Sequence, residues 1–272
     1  MPKYSVLMSL YSKEIPEFLS QSIDSMLNQT VVPDEIIIVK DGPITQELEN
    51  ALNGYIDQYA QLFKIVESKE NIGLGKALNL GLQSCKNELV ARMDTDDISF
   101  PNRCELQLAR FSENEQLDIC GTFVNEFISD PYITESIRKV PATHDEIYQF
   151  AKRRSPFNHP TVMYKKSKVL SVGGYSDLRR NQDVDLFGRM LFAGSIAANI
   201  ESSLLYFRAN NALIKRRKNW ENAKLYIKVI RNFRKMGFSK RQDVFIVTMG
   251  QIIVYLSPAF VQRWIYEKIL RK

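Results

Sequence analysis

The chain has 272 residues, 44% hydrophobic and 25% charged, with three cysteines. That is enough to bury a full core, and too balanced for a disordered, fibrous or disulfide-scaffold protein. The formal net charge of +6 hides an asymmetry: residues 208–272 carry 16 Lys/Arg against 3 Asp/Glu, whereas residues 1–207 carry 21 against 28. An acidic body with a basic end predicts two jobs, and the basic end could face nucleic acid, anionic lipid or solvent.

The N-terminus runs straight into the apolar stretch YSVLMSL (4–10), without the long apolar core and small-residue cleavage site of an export signal. Ile15, Phe18, Leu19, Ile23, Met26 and Leu27 then recur at helical spacing, so a strand is followed by an amphipathic helix. DEIIIVK (34–40) is a β-branched strand that stops at Asp41-Gly-Pro, a turn signal, and a polar helical stretch continues to about Tyr59. FKIV (63–66), a helix over 75–84 and ELVARM (88–93) repeat the alternation, and the fourth strand leads into Asp94-Thr-Asp-Asp97. Strand–helix alternation predicts an α/β fold with a mainly parallel, Rossmann-like sheet flanked by helices, whose ligands bind at the carboxyl ends of strands. Asp41 and the 94–97 cluster fall on that rim.

Beyond Pro101 the alternation gives way to a helix near 102–114, a strand over 117–128, a polar helix near 143–153, a strand at 161–164 and a helix near 183–194. This half should be mixed. Composition changes near Arg208, so the chain divides into a domain of residues 1–207 and a basic, aromatic helical segment of residues 208–272. VFIVTMGQIIVYL (244–256) is too short and interrupted for a membrane span, which needs about 20 residues, and reads as a core helix. The last stretch, 258–272, mixes aromatic and basic residues as interfacial helices on anionic membranes do; packing on its own domain explains it equally well. Cys85, Cys104 and Cys120 never pair as CxxC, which argues against a disulfide framework or zinc site and fits a reducing cytoplasm.

Several residues carry chemistry. A DxD at a strand end, Asp94 and Asp96, can hold a hard divalent cation that bridges to phosphates, although Asp-rich turns also serve to cap the next helix, as Ser99-Phe-Pro-Asn would allow. Asp41 shares the rim, and an Asp-Gly turn explains it without a ligand. Asp183, in QDVDLFGRM (182–190), opens a helix and suits either a general base or dipole stabilisation. GLGK (73–76) lacks the third glycine of a dinucleotide site and the spacing of a P-loop, and reads as a helix start. His159, in Asn158-His-Pro160, reads as a hydrogen-bonded turn residue.

Together, YSVLMSLY, SIDSMLNQT, DEIIIVKDG, NIGLGKALNLGL, RMDTDDIS, NHPTVMYKKS, GGY and QDVDLFGRM resemble, in order, the motifs of inverting GT-A glycosyltransferases of family 2, especially bacterial polysaccharide and O-antigen enzymes. The resemblance covers residues 4–210. It implies a nucleotide-sugar donor, UDP-linked by family habit, a Mn²⁺ or Mg²⁺ cofactor and a saccharide acceptor on a polyprenyl diphosphate. Nucleic acid is not implied as a partner. Asp41 matches the residue that contacts the base or ribose, Asp94 and Asp96 the DxD that holds ribose and metal-bound diphosphate, and Asp183 the catalytic base. The family's Glu-Asp pair stands here as Gln182-Asp183. Arg103 and His159 fall in family-like segments and are expected beside the nucleotide-sugar. The basic end is expected to hold the enzyme at the inner face of the plasma membrane. A sugar-phosphate nucleotidyltransferase would need a glycine-rich basic loop after the first strand, which Leu10-Tyr-Ser-Lys-Glu14 does not offer. A non-catalytic nucleotide-sugar binding protein would survive loss of Asp183.

Overall fold

A computed structural model of the chain describes residues 2–209 and 220–257. Its first half is the expected alternation: β1 (Tyr4–Leu10), α1 (Pro16–Leu27), β2 (Glu35–Asp41), α2 (Gln46–Gln58), β3 (Phe63–Ser68), α3 (Leu74–Ser84) and β4 (Leu89–Arg92). β1 pairs in parallel with β2 and β4, and β2 with β3. Successive residues of a strand point to opposite faces, so a sheet covered on both sides needs apolar residues at every position. The centres of β1 and β2 supply them, and at their starts the buried Ser5 hydroxyl donates to the Glu35 carboxylate. Val6, Met8, Ile36 and Ile38 pack with Leu19, Ile23, Leu48 and Leu108 on one face. Leu7, Ile37 and Val39 pack with Ala77, Leu78 and Leu82 on the other. There Gly81 lets α3 settle on the sheet, since a Cβ would lie 2.4 Å from Leu7 and 2.5 Å from Val39.

The second half is mixed. β5 (Ile98–Ser99), α4 (Arg103–Glu113), β6 (Leu117–Phe127), β7 (Ser136–Arg138) and α5 (His144–Ala151) precede a 3-10 turn at His159–Thr161. β8 (Met163–Lys165), α6 (Lys166–Ser171), α7 (Gln182–Phe192) and β9 (Ile196–Arg208) follow. The path through the sheet is β3-β2-β1-β4-β8-β6-β9-β5, with β7 paired on β6. β8 joins the two halves by running antiparallel to both β4 and β6. The strand expected at 161–164 begins late because His159–Thr161 turns first. β9 was not expected at all: its polar Glu201-Ser-Ser203 breaks the alternation, and the sheet absorbs this as a bulge between Thr122↔Ile200 and Phe123↔Ser203.

The chain continues as α8 (Trp220–Met236) and α9 (Arg241–Leu256). The composition boundary at 207/208 coincides with the end of β9, yet α8 shares the main core: Val229, Ile230 and Phe233 belong to the same cluster as Leu7 and Ile37. Phe233 lies over Gly188 of α7, where a Cβ would stand 2.1 Å from its ring. The expectation of a core helix at 244–256 is corrected, because α9 buries only Asp243 and Val247 and turns Phe245, Ile246, Ile253 and Leu256 outward. Among the described residues no helix is long and apolar enough to cross a membrane. The stretch 258–272 lies outside them. All three cysteines are free and buried.

Candidate active site

The parallel registers of β1, β2 and β4 put the carboxyl ends of these strands on one rim. Asp41 closes β2, and its carboxylate accepts the backbone N–H of Ile72 at 2.7 Å and of Gly73 at 3.1 Å. Its carbonyl takes Asn71 Nδ2 at 3.2 Å. Asp41 thus fastens the loop that enters α3. Gly42 follows with φ 84°, and a Cβ there would sit 2.7 Å from the Asn71 nitrogen, which explains the Asp-Gly pair locally.

Past β4, one oxygen from each of Asp94, Asp96 and Asp97 falls within 4.8 Å of the others. Burial, then the charge of Asp94, pushes Asp96 up to about 6. Burial, then Asp96, holds Asp97 well above the usual carboxylate range. Asp97 is 1% exposed. Its Oδ1 accepts the backbone N–H of Arg208 at 2.9 Å, while Oδ2 is buried without a hydrogen-bond partner. An unsatisfied buried carboxylate oxygen is costly, and three hard oxygen donors at this span suit a divalent cation. The capped-turn alternative fails on geometry: Asn102 precedes α4 without a side-chain capping bond, and none of the three carboxylates accepts from that helix's first turn. Arg208 braces the cluster, donating Nε to the Asp96 carbonyl at 2.9 Å and Nη2 to Gln21 at 2.7 Å. Its guanidinium lies 3.7 Å from the Phe18 ring centroid.

Arg92 is fully buried, the rarest setting for an arginine, and its guanidinium bonds the Met93 carbonyl and the Asp94 carboxylate. Burial raises Tyr164, Tyr175 and Asp183 and depresses His159, and the charge of Arg92 acts on all four, opposing the rise in the first three and adding to the fall in His159. His159 Nε2 is 2.9 Å from Tyr175 Oη. Burial, then Arg92, depresses His159 to about 3, so it is neutral at physiological pH. Asp183 is the second residue of α7; burial raises its pKa, two backbone N–H groups oppose that, and Asp94 adds repulsion. Before it, Asn181 holds φ 62°, a left-handed conformation that a non-glycine residue adopts sparingly and often beside a functional site. The starts of α3 and α7 touch: a Cβ on Gly75 would lie 2.9 Å from the Ser176 carbonyl and 3.4 Å from the Gln182 side chain. Asp41's loop and the start of α7, which carries Asp183, therefore lie side by side.

Asp94, Asp96, His159 and Asp183 are brought together; Arg103 is not. It is fully buried, and its guanidinium bonds the carbonyls of Pro160 at 2.7 Å and Arg92 at 3.2 Å and the Met26 sulfur. The structure places it as an internal bracket between α4, the end of β4 and the turn at Pro160. Arg92, Tyr175 and Arg208 were missed. Arg92 left a signal as a charge inside the apolar strand LVARM, and Tyr175 as the end of the GGY motif.

A parallel nucleotide-type sheet with a mixed extension and a carboxylate cluster after its fourth strand is the architecture of the GT-A fold. Residues 5–178 match the model of glycosyl transferase family 2, and the chain belongs to that family. It is 37% identical over 100% of its length, and 98% of the relative's, to the UDP-Gal:alpha-D-GlcNAc-diphosphoundecaprenol beta-1,3-galactosyltransferase of Escherichia coli. It is 35% identical to the amylovoran biosynthesis glycosyltransferase AmsE of Erwinia amylovora, over 97% of this chain and 98% of that one. In fold it is similar to residues 1–349 of S. aureus TarS in complex with UDP, with TM-score 0.63 and 17% identity, covering 97% of this chain and 78% of that one.

Proposed function

We propose that the protein transfers a sugar, with inversion, from a UDP-sugar to a saccharide carried on a polyprenyl diphosphate during assembly of a bacterial surface polysaccharide. The observation that carries this is the acidic cluster of Asp94, Asp96 and Asp97 within electrostatic reach of Asp183, on the rim that Asp41 shares. Full-length similarity to a galactosyltransferase named for a diphosphoundecaprenol acceptor supports the choice of acceptor. The nucleotidyltransferase and binding-protein readings lose their footing with membership of the transferase family.

In this reading Asp41 contacts the base or ribose while holding the Ile72–Gly73 turn, and Asp94 and Asp96 hold the ribose and the metal-bound diphosphate. Mn²⁺ or Mg²⁺, when bound, neutralises charge developing on the departing β-phosphate. Asp183 accepts the proton of the acceptor hydroxyl as its oxygen bonds to the anomeric carbon and the bond to the UDP oxygen breaks. The Arg92 guanidinium steadies Asp94 and keeps Asp183 from rising further. Neutral His159, hydrogen-bonded to Tyr175, lines the sugar pocket. Residues 1–207 carry the donor site and the catalytic base, and the basic segment 208–272 helps hold the enzyme and its lipid-linked acceptor at the inner face of the plasma membrane. The test is incubation of purified protein with UDP-, GDP- and dTDP-sugars, with and without Mn²⁺, and a GlcNAc-diphosphate-lipid acceptor. A metal-dependent, β-linked product from a UDP-sugar is expected; no consumption of any donor would sink the assignment.

A further inference from the structure

Beside the acidic rim lies a groove of about 1030 Å³ that contains none of the three carboxylates. Arg138, Lys139, Lys152, Arg153, Arg154 and Lys240 line it, against Glu146, Glu201 and Asp243. Two of the cations are fixed in place: Arg138 is held by Glu126 at 2.5 Å and Arg153 by Asp243 at 2.5 Å. Glu146 is engaged in the capping box of α5, with Thr143. One end of the groove adjoins the site, since the Arg138 guanidinium stacks 4.5 Å from the Phe207 ring centroid, next to the Arg208 whose backbone N–H Asp97 accepts, and Asn158 in the wall precedes His159. The other end reaches Gln242, where α9 begins.

From there α9 carries Phe245, Ile246, Met249, Ile253 and Leu256 along one side, exposed by 40% to 72%. Lys240 and Arg241 stand where basic groove and apolar face meet. Cations at the border of an apolar helix face are the pattern of a helix resting on anionic lipid, with the charges at headgroup level. A basic channel that ends on such a face is complementary to an amphiphile with a polyvalent anionic head and an apolar tail. We propose that this groove receives the diphosphate of the lipid-linked acceptor, with its sugar toward Asp183 and the outer face of α9 against the bilayer that carries the lipid. The proposal rests on the transferase reading above and assigns the acceptor a place within it.

The test uses the full chain. Lys139→Glu/Lys152→Glu/Lys240→Glu is expected to raise KM for GlcNAc-diphosphate bearing a short alkyl tail about tenfold, with the UDP-sugar Kd and Tm unchanged. Added NaCl should raise that KM for the wild type and much less for the variant. An unchanged KM, or an equal rise for the same alkyl GlcNAc without diphosphate, overturns the groove assignment. Phe245→Glu/Ile246→Glu should abolish co-flotation with phosphatidylglycerol vesicles at unchanged Tm. Undiminished flotation overturns the bilayer contact, as does a fall in Tm, which would mean that protein covers this face. A wild-type chain that consumes no UDP-sugar refutes the transferase reading itself, whereas these outcomes with an active wild type refute the groove alone.

Discussion

At the rim, three carboxylates crowd within 4.8 Å and are buried enough that Asp96 and Asp97 are driven toward their protonated forms. In the groove next to it, six cations are spread along the walls and every one is at least partly exposed. Like charges held together away from water demand a compact counter-charge, because the interaction grows as the local dielectric falls. Charges spread along a wet groove suit an extended anion and yield to salt. On the function and acceptor placement proposed above, the difference separates two tasks: a point site for a cation and a nucleotide diphosphate, and a track for a mobile acceptor.

The comparison can be broken at the rim first. Asp183→Asn should lower kcat about 10³-fold, the scale of a lost general base, while calorimetry finds the UDP-sugar Kd within about twofold of wild type. Equal loss of donor binding would make Asp183 part of the donor site rather than the base. Asp96→Asn should cost about 100-fold in transfer, with no recovery as Mn²⁺ is raised, because the lost group is a ligand and not merely a charge. Asp41→Ala leaves two backbone N–H groups without their acceptor and should raise the donor KM about tenfold with little change in kcat.

Two smaller effects follow from protonation. A carboxyl raised to about 6 takes up a proton at a higher pH than an ordinary aspartate, and only its ionised form ligates. The Mn²⁺ concentration for half-maximal activity should therefore climb as pH falls through about 6; a flat dependence would remove Asp96 from the ligand set. Asp183 is raised by burial, so its ionised form is less stable in the folded chain than in the unfolded one. Its contribution favours folding at low pH and is lost as pH rises through its folded pKa. Asp183→Asn should accordingly raise Tm at neutral pH while abolishing turnover, a stability gained where function is given up.

Much of the first half was readable from residues. β1 to β4 are short, built around apolar runs and bounded by helical repeats, so their order and the acidic residues at the ends of β2 and β4 followed from local periodicity and the handedness of parallel connections. The second half was less so. β9 hides a polar bulge, α9 has the composition of a core helix and the exposure of a surface one, and Arg103 has the charge of a ligand-binding residue in a buried place where two carbonyls and a methionine sulfur meet it. Burial of a helix face depends on what packs against it, which one strand of text does not contain.

What the sequence determined alone was the alternation, the rim it creates and the presence there of Asp41, Asp94, Asp96 and Asp97, because each depends on patterns a few residues long. Only the tertiary structure decided that Arg208 would meet Asp97 across 111 positions, that Arg92 would be fully buried against Asp94, that His159 would meet Tyr175, and that a basic groove would open beside the carboxylates. Those arrangements bring together segments far apart in the chain, and their distances are set by how helices and strands close over a shared core rather than by any local repeat.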